Sequence, residues 1–198
     1  MFISLEGIDG SGKSTQARLL AEALGPETLL IREPGGTEAA ERIRELLADS
    51  QTPLDPLAEL LLFCAARADL VSRVIGPALE AGRDVVSDRF SDSSVAYQGS
   101  ARGLGAGRVI TLSDTATDGL WPDLTLLLRL DPEAGLKRVR GGDRFEAEGL
   151  EFQRAVAEAY EEIAQVAPER VVAIDAAGSV EEVHARVMEA VRSRAPEA

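Results

Sequence analysis

The stretch Gly7-Ile8-Asp9-Gly10-Ser11-Gly12-Lys13-Ser14-Thr15 carries the residue types and spacing needed to hold a triphosphate. It fits the P-loop pattern G-x-x-x-x-G-K-[ST]. Glycines let the backbone wrap closely around an anion with its N–H groups pointing inward. Lys13 adds a positive charge beside the β- and γ-phosphates, and Ser14 offers a hydroxyl to Mg²⁺. The helix that follows points its positive dipole end at the same place. The bland alternative is a glycine turn before an ordinary helix, and the flanks argue against it. Met1-Phe2-Ile3-Ser4-Leu5 reads as a buried strand. Gln16 to Leu24 reads as a helix with Ala17, Leu20, Ala21 and Leu24 on one face.

Three further stretches could meet phosphate or metal. Arg32-Glu33-Pro34-Gly35-Gly36 is a turn-rich loop after an apolar strand. Asp88-Arg89-Phe90 follows another apolar strand, where a Walker-B acid that helps hold Mg²⁺ would sit. The bland alternative for Asp88 is a helix N-cap. Arg89 beside it offers a fork of donors that matches a phosphate. Arg138, Arg140 and Arg144, with Gly141 and Gly142, read either as a solvated surface loop or as a lid. In a lid, glycine hinges allow closure and arginines meet the charge of a transferring phosphoryl group. The only histidine, His184, lies in the last helix, so no histidine base is expected. A nucleophile that is already an anion needs none, and a phosphate monoester loses its second proton near pH ~6.

These groups need a scaffold that gathers strand ends. Strands and helices alternate along the chain, which predicts an α/β fold: a five-stranded parallel sheet flanked by helices on both faces. In such a sheet ligands bind at the carboxyl ends of the strands. Strands are expected at 1–5, 28–31, 84–87, 124–130 and 171–174. Thr37, Asp55 and Asp131 read as N-caps. Ser179 and Glu182 form a capping box, with Val180, Val183, Val187 and Val191 as the buried stripe of the last helix. The 198 residues form one domain without repeats or a linker, with a short arginine-rich lid at about 138–150. The net charge of −13 argues against a nucleic-acid partner. No apolar run is long enough for a membrane span. No basic segment precedes an apolar one at the N-terminus, so no signal peptide is expected, and with one cysteine, Cys64, a cytoplasmic setting follows.

Over nearly its whole length the sequence resembles thymidylate kinases of the bacterial kind, within the P-loop NTPase fold. The matching stretches are Glu6 to Thr15, Arg32-Glu33-Pro34-Gly35-Gly36-Thr37, Leu62-Phe63-Cys64-Ala65-Ala66-Arg67, Asp88 to Gly99 and Pro122-Asp123-Leu124-Thr125. The resemblance implies ATP + dTMP giving ADP + dTDP, with Mg²⁺ held by Ser14 and Asp88, and a homodimer. It implies that Phe63 stacks on thymine and Arg67 bonds its carbonyl edge. Ser94, with Ser93 and Gln98 nearby, would face the base, and Tyr97 would lie against C2′. Arg44 and Arg89 would hold the dTMP phosphate, Asp9 would lie near the 3′-hydroxyl, and Glu33 and Pro34 belong to the loop over the monophosphate. Phe63 read alone is a core residue of an apolar helix. Relatives with an arginine in the P-loop have it where this chain has Gly10; those without it supply lid arginines, so Lys13, Arg89, Asp9, Arg138, Arg140 and Arg144 form the expected catalytic set. Phe90 departs from the tyrosine or histidine of many relatives. The alternatives are another deoxynucleoside or nucleoside monophosphate kinase, or a nucleotide-dependent switch. A guanine-reading Asn-Lys-x-Asp segment is absent.

Overall fold

The central strand determines where the site lies. The computed structural model describes residues 1–139 and 148–194. Strands β1 (Phe2–Glu6), β2 (Leu29–Arg32), β3 (Val85–Asp88), β4 (Leu124–Arg129) and β5 (Val171–Asp175) form one parallel sheet in the order β2-β3-β1-β4-β5. The P-loop leaves the carboxyl end of β1, in the middle of the sheet, with the end of β3 beside it.

Alternation along the strands loads both faces with apolar side chains. Ile3, Leu5, Val86, Leu124, Leu126 and Leu128 pack on one side against helices α1 (Lys13–Leu24) and α9 (Val180–Arg194). On the other side Phe2, Val85 and Ile31 meet α3 (Pro56–Leu70) and the segment after it, while Leu127 and Val171 meet α8 (Leu150–Val166). Strands covered on both faces read as continuous apolar runs, which is why β4 is so uniform.

The remaining helices are α2 (Glu38–Ala48), α4 (Gly76–Glu80), α5 (Ser91–Ser94), α6 (Ala106–Thr117) and α7 (Pro132–Arg138). After Asp55, α3 and α4 are joined by a π-helical turn at Val71–Ile75. A second π-helical segment, Val95–Ala101, continues α5 and contains Gly99. Thr37, Asp55 and Asp131 cap α2, α3 and α7 through their side chains. Ser179 and Glu182 exchange the two bonds of the capping box at 2.7 and 3.2 Å. Val183, Val187 and Val191 are buried, but Val180 is 46% exposed. It is the first residue of α9 and lies at the surface near Arg18 and Leu19 of α1. No helix among the described residues is long and apolar enough to cross a membrane.

Candidate active site

The donor loop binds through its backbone. Gly12 has φ +94, and a Cβ added there would meet nothing within 4 Å, so the loop is open on that side. α1 starts with no side-chain cap and no acidic residue in its first turn, unlike the capped α2, α3 and α7. Its first amides are therefore left for an anion. Lys13 Nζ donates to Ile8 O at 2.7 Å and lies 3.4 Å from Ser11 Oγ, folded back over its own loop. Burial, then the neighbouring Arg89 charge, pushes its pKa down to about 8. Gly10 is fixed for a different reason. Its φ is +77, and a Cβ would sit 2.2 Å from Gly135 O in α7. No side chain fits there without moving α7, so this backbone suits the glycine that stands where some relatives have an arginine.

Asp88 closes β3 and accepts from Ser14 Oγ at 2.5 Å. It is not a helix cap, since Phe90 precedes α5 and no side chain caps that helix. A hydroxyl and a carboxylate oxygen side by side at the P-loop are hard donors that suit Mg²⁺, which uses few protein ligands and takes the rest from phosphate and water. No group of three or more His, Cys, Asp or Glu able to hold a metal occurs among the described residues.

Next to the loop lies a cavity of about 140 Å³. Its wall contains Asp9, Glu33, Pro34, Arg44, Phe63, Arg67, Arg89, Ser93, Ser94, Tyr97 and Gln98, so every acceptor-side residue singled out from the sequence meets here. Leu47, Ala48 and Phe90 complete it. Phe63 is half-buried in this wall rather than enclosed in the core. Phe90 is fully buried edge-on to Phe2, with centroids 4.8 Å apart, and Arg67 lies over its ring. The apolar core thus accommodates the missing hydroxyl or imidazole.

Charge in the wall is held by short bonds. Arg89 donates to Asp9 Oδ1 at 2.5 Å, Tyr97 OH at 3.1 Å, Ser93 Oγ at 3.1 Å and Gly7 O at 3.3 Å. Its backbone is left-handed, φ 75, which costs a non-glycine residue of the order of 1–3 kcal/mol. Neighbouring bonds hold it so: Ser87 Oγ donates to Arg89 O at 2.5 Å, and Phe90 N donates to Glu6 Oε1 at 2.7 Å. Burial raises the Asp9 pKa, but Arg89 and Lys13, with bonds from Gln153 and Tyr97, outweigh it and hold the carboxyl below its usual value. Arg67 is 1% exposed and donates from Nε to Glu33 at 2.7 Å and from Nη2 to Ser94 Oγ at 3.1 Å. Burial lifts the Glu33 carboxyl, against Arg67. Arg67 Nη1 and Glu33 Oε1 are buried without a hydrogen-bond partner among the described residues. Such orphans in a cavity wall are groups a ligand can satisfy.

Sequence reasoning missed the residues behind this wall. Glu6 also accepts from Ser93 Oγ at 2.6 Å and Tyr160 OH at 2.7 Å. Burial, then Asp92, lifts its pKa to about 7. Gln153 on α8 accepts from Asp9 N at 3.2 Å and donates to Asp9 Oδ2 at 2.8 Å. Glu6 had a signal, a carboxylate ending an otherwise apolar strand. Gln153 had none, because a polar residue in a helix is ordinarily solvated. Arg44 Nη1 reaches Pro34 O at 3.1 Å. Arg138 is exposed at the end of α7, its Nη1 3.5 Å from Gly10 O. Arg140 and Arg144 lie outside the described residues.

The family model described as thymidylate kinase matches residues 5–187. A thymidylate kinase of Synechococcus sp. (strain JA-3-3Ab) is 51% identical over 197 residues, covering 98% of this chain and 96% of its own. One from Caldanaerobacter subterraneus subsp. tengcongensis is 46% identical over 195 residues, covering 96% and 94%. The crystal structure of thymidylate kinase from Ehrlichia chaffeensis superposes with a TM-score of 0.82 at 35% identity, covering 96% of this chain and 98% of that one.

Proposed function

The chain belongs to the thymidylate kinase family, and from that premise we propose that it transfers the γ-phosphoryl group of ATP to the 5′-phosphate of dTMP, giving ADP and dTDP, within one domain. The observation that carries the reading is that Arg89 belongs to both halves of the site. It bonds Gly7 O and Asp9 of the donor loop, and it lines the acceptor cavity. Donor and acceptor phosphates then meet at one guanidinium.

In this reading a non-bridging oxygen of the dTMP phosphate attacks the γ-phosphorus, and the bond to the β-phosphate oxygen breaks, releasing ADP. The nucleophile is already charged, so positioning and electrostatics suffice. Lys13 and the amides from Gly7 to Thr15 hold ATP. Ser14 and Asp88 are the residues that would hold Mg²⁺, which supplies charge neutralisation at the phosphates. Arg44 and Arg89 hold the acceptor phosphate, Phe63 stacks on the base, and Tyr97 excludes a 2′-hydroxyl by its bulk. Asp9 accepts from the 3′-hydroxyl while Gln153 fixes its carboxylate. Arg138, Arg140 and Arg144 supply charge to the transition state. Exposed Leu57 and Leu61 on α3, with Ile110 on α6, support a homodimer, and sedimentation velocity checks it. The single cysteine is free and buried, in keeping with a cytoplasmic enzyme.

The test is a coupled assay with Mg-ATP across dTMP, dUMP, dCMP, dAMP, dGMP and thymidine. Preference for dTMP is expected, and preference for thymidine would overturn the reading.

A further inference from the structure

We propose that Glu59 sets base specificity without touching the base: it locks the side-chain amide of Gln98 so that the carbonyl, not the NH₂, is what the cavity presents. The inference rests on the acceptor reading above. Glu59 lies on α3, is 1% exposed and is not part of the cavity wall. Gln98, 2% exposed, is part of it. Gln98 Nε2 donates to Glu59 Oε1 at 2.8 Å. The two oxygens of Glu59 also face Arg102 Nε and Nη2 at 3.3 and 3.4 Å. A carboxylate paired with a guanidinium only accepts. Reversing the Gln98 amide would set its carbonyl oxygen against a carboxylate oxygen, so the orientation is fixed. Arg102 is fixed in turn, 2.5 Å from Glu148 and 4.8 Å from the Phe152 ring centre.

The consequence is a defined pattern in the cavity. Gln98 Oε1 takes no hydrogen bond from the described residues and remains an acceptor. Arg67 Nη1 is buried without a partner and remains a donor. Thymine and uracil present the complement, the N3–H donor beside the O4 acceptor. Cytosine presents the reverse, an acceptor at N3 beside an amine. A site built to pair with one pattern rejects the other because its buried polar groups would stay unpaired.

Glu59→Gln gives Gln98 a partner that can donate or accept, which frees the amide to reverse. The expected result is a KM for dTMP raised by about tenfold, and a ratio of kcat/KM for dTMP over dCMP lowered by about tenfold or more, the size of one hydrogen bond. A Glu59 that merely supports the fold would lower both substrates alike, and an unmoved ratio overturns the proposal. Gln98→Met removes the amide, should lower the same ratio, and should make Glu59→Gln silent when the two are combined. If Glu59→Gln does not fold, Gln98→Met alone decides, and an unchanged ratio there also overturns the proposal. The wild-type panel separates the two claims. A wild type that prefers dCMP or thymidine removes the acceptor reading itself. Preference for dTMP with an unmoved ratio removes only the role of Glu59.

Discussion

In the proposed reading the donor loop and the acceptor cavity bind phosphate by opposite means. The loop is contiguous, Gly7 to Thr15, and works through amides that glycines expose and an uncapped helix leaves unpaired. The cavity draws its wall from P-loop, α2, α3 and the segments after β2 and β3, and works through arginine and carboxylate side chains held by further buried side chains. Added atoms therefore threaten the loop, whereas removed atoms threaten the cavity.

Gly10 sharpens the contrast on the donor side and leads to the largest expected effect. A side chain at position 10 would meet Gly135, so in the proposed mechanism the extra charge for the transferring phosphoryl group is assigned to Arg138, Arg140 and Arg144. Arg144→Ala should lower turnover by on the order of a hundredfold or more, in the manner of arginine fingers, with dTMP affinity little changed. Single-turnover rates check this, and a near-normal rate removes Arg144 from the mechanism. Gly10→Ala should come next. A Cβ 2.2 Å from Gly135 O at φ +77 must push α7 away or distort the loop. The left-handed backbone alone costs about 1–2 kcal/mol, so a melting temperature lower by several degrees and a KM for ATP raised about thirtyfold are expected. An unchanged protein would show that the loop tolerates added atoms after all.

On the acceptor side truncation is the damaging change. Phe63 presents a ring to the cavity, and stacking on a base is worth about 1–3 kcal/mol. Phe63→Ala should raise the KM for dTMP about tenfold while leaving the KM for ATP and the stability nearly as they are, because the residue is only half-buried. A large fall in melting temperature would instead return Phe63 to the core.

The same division explains what was legible in the sequence. β1 to β5 and their order of appearance follow from apolar runs punctuated by Gly25, Gly82 and capped helices, because burial on both faces leaves a continuous signature. The donor loop was legible because backbone binding needs fixed glycine spacing. The cavity was legible in part: Glu33, Pro34 and Arg89 stood out as strand-end loop residues, whereas Phe63 and Arg67, which carry no local signature apart from an apolar helix, were legible only through family resemblance. Glu59 and Gln153 were not legible at all, and Glu6 showed only as a carboxylate ending an otherwise apolar strand. Each acts by holding another side chain, and that pairing exists only once distant segments meet, as with Gln153 and Asp9. The π-helical turns at Val71–Ile75 and Val95–Ala101 escaped for a related reason: periodicity does not distinguish one extra residue per turn.

The smallest expected effect separates the two halves by pH. Lys13 is the donor loop's only side-chain cation, and burial beside Arg89 has lowered its pKa to about 8. ATP binds the protonated amine, so above that value the free enzyme must take up a proton to bind, and affinity falls as pH rises. Between pH ~7.5 and ~9 the KM for ATP should rise about eightfold by proton linkage. In the proposed reading Arg44 and Arg89 hold the acceptor phosphate, and arginine does not titrate in this window. Glu6, near 7, is already mostly ionised above pH ~7.5. The KM for dTMP should therefore stay within about twofold. Initial-rate measurements with each substrate varied in turn give both curves. Parallel curves would mean that Lys13 does not titrate alone, and that the loop depends on cavity side chains for more than position.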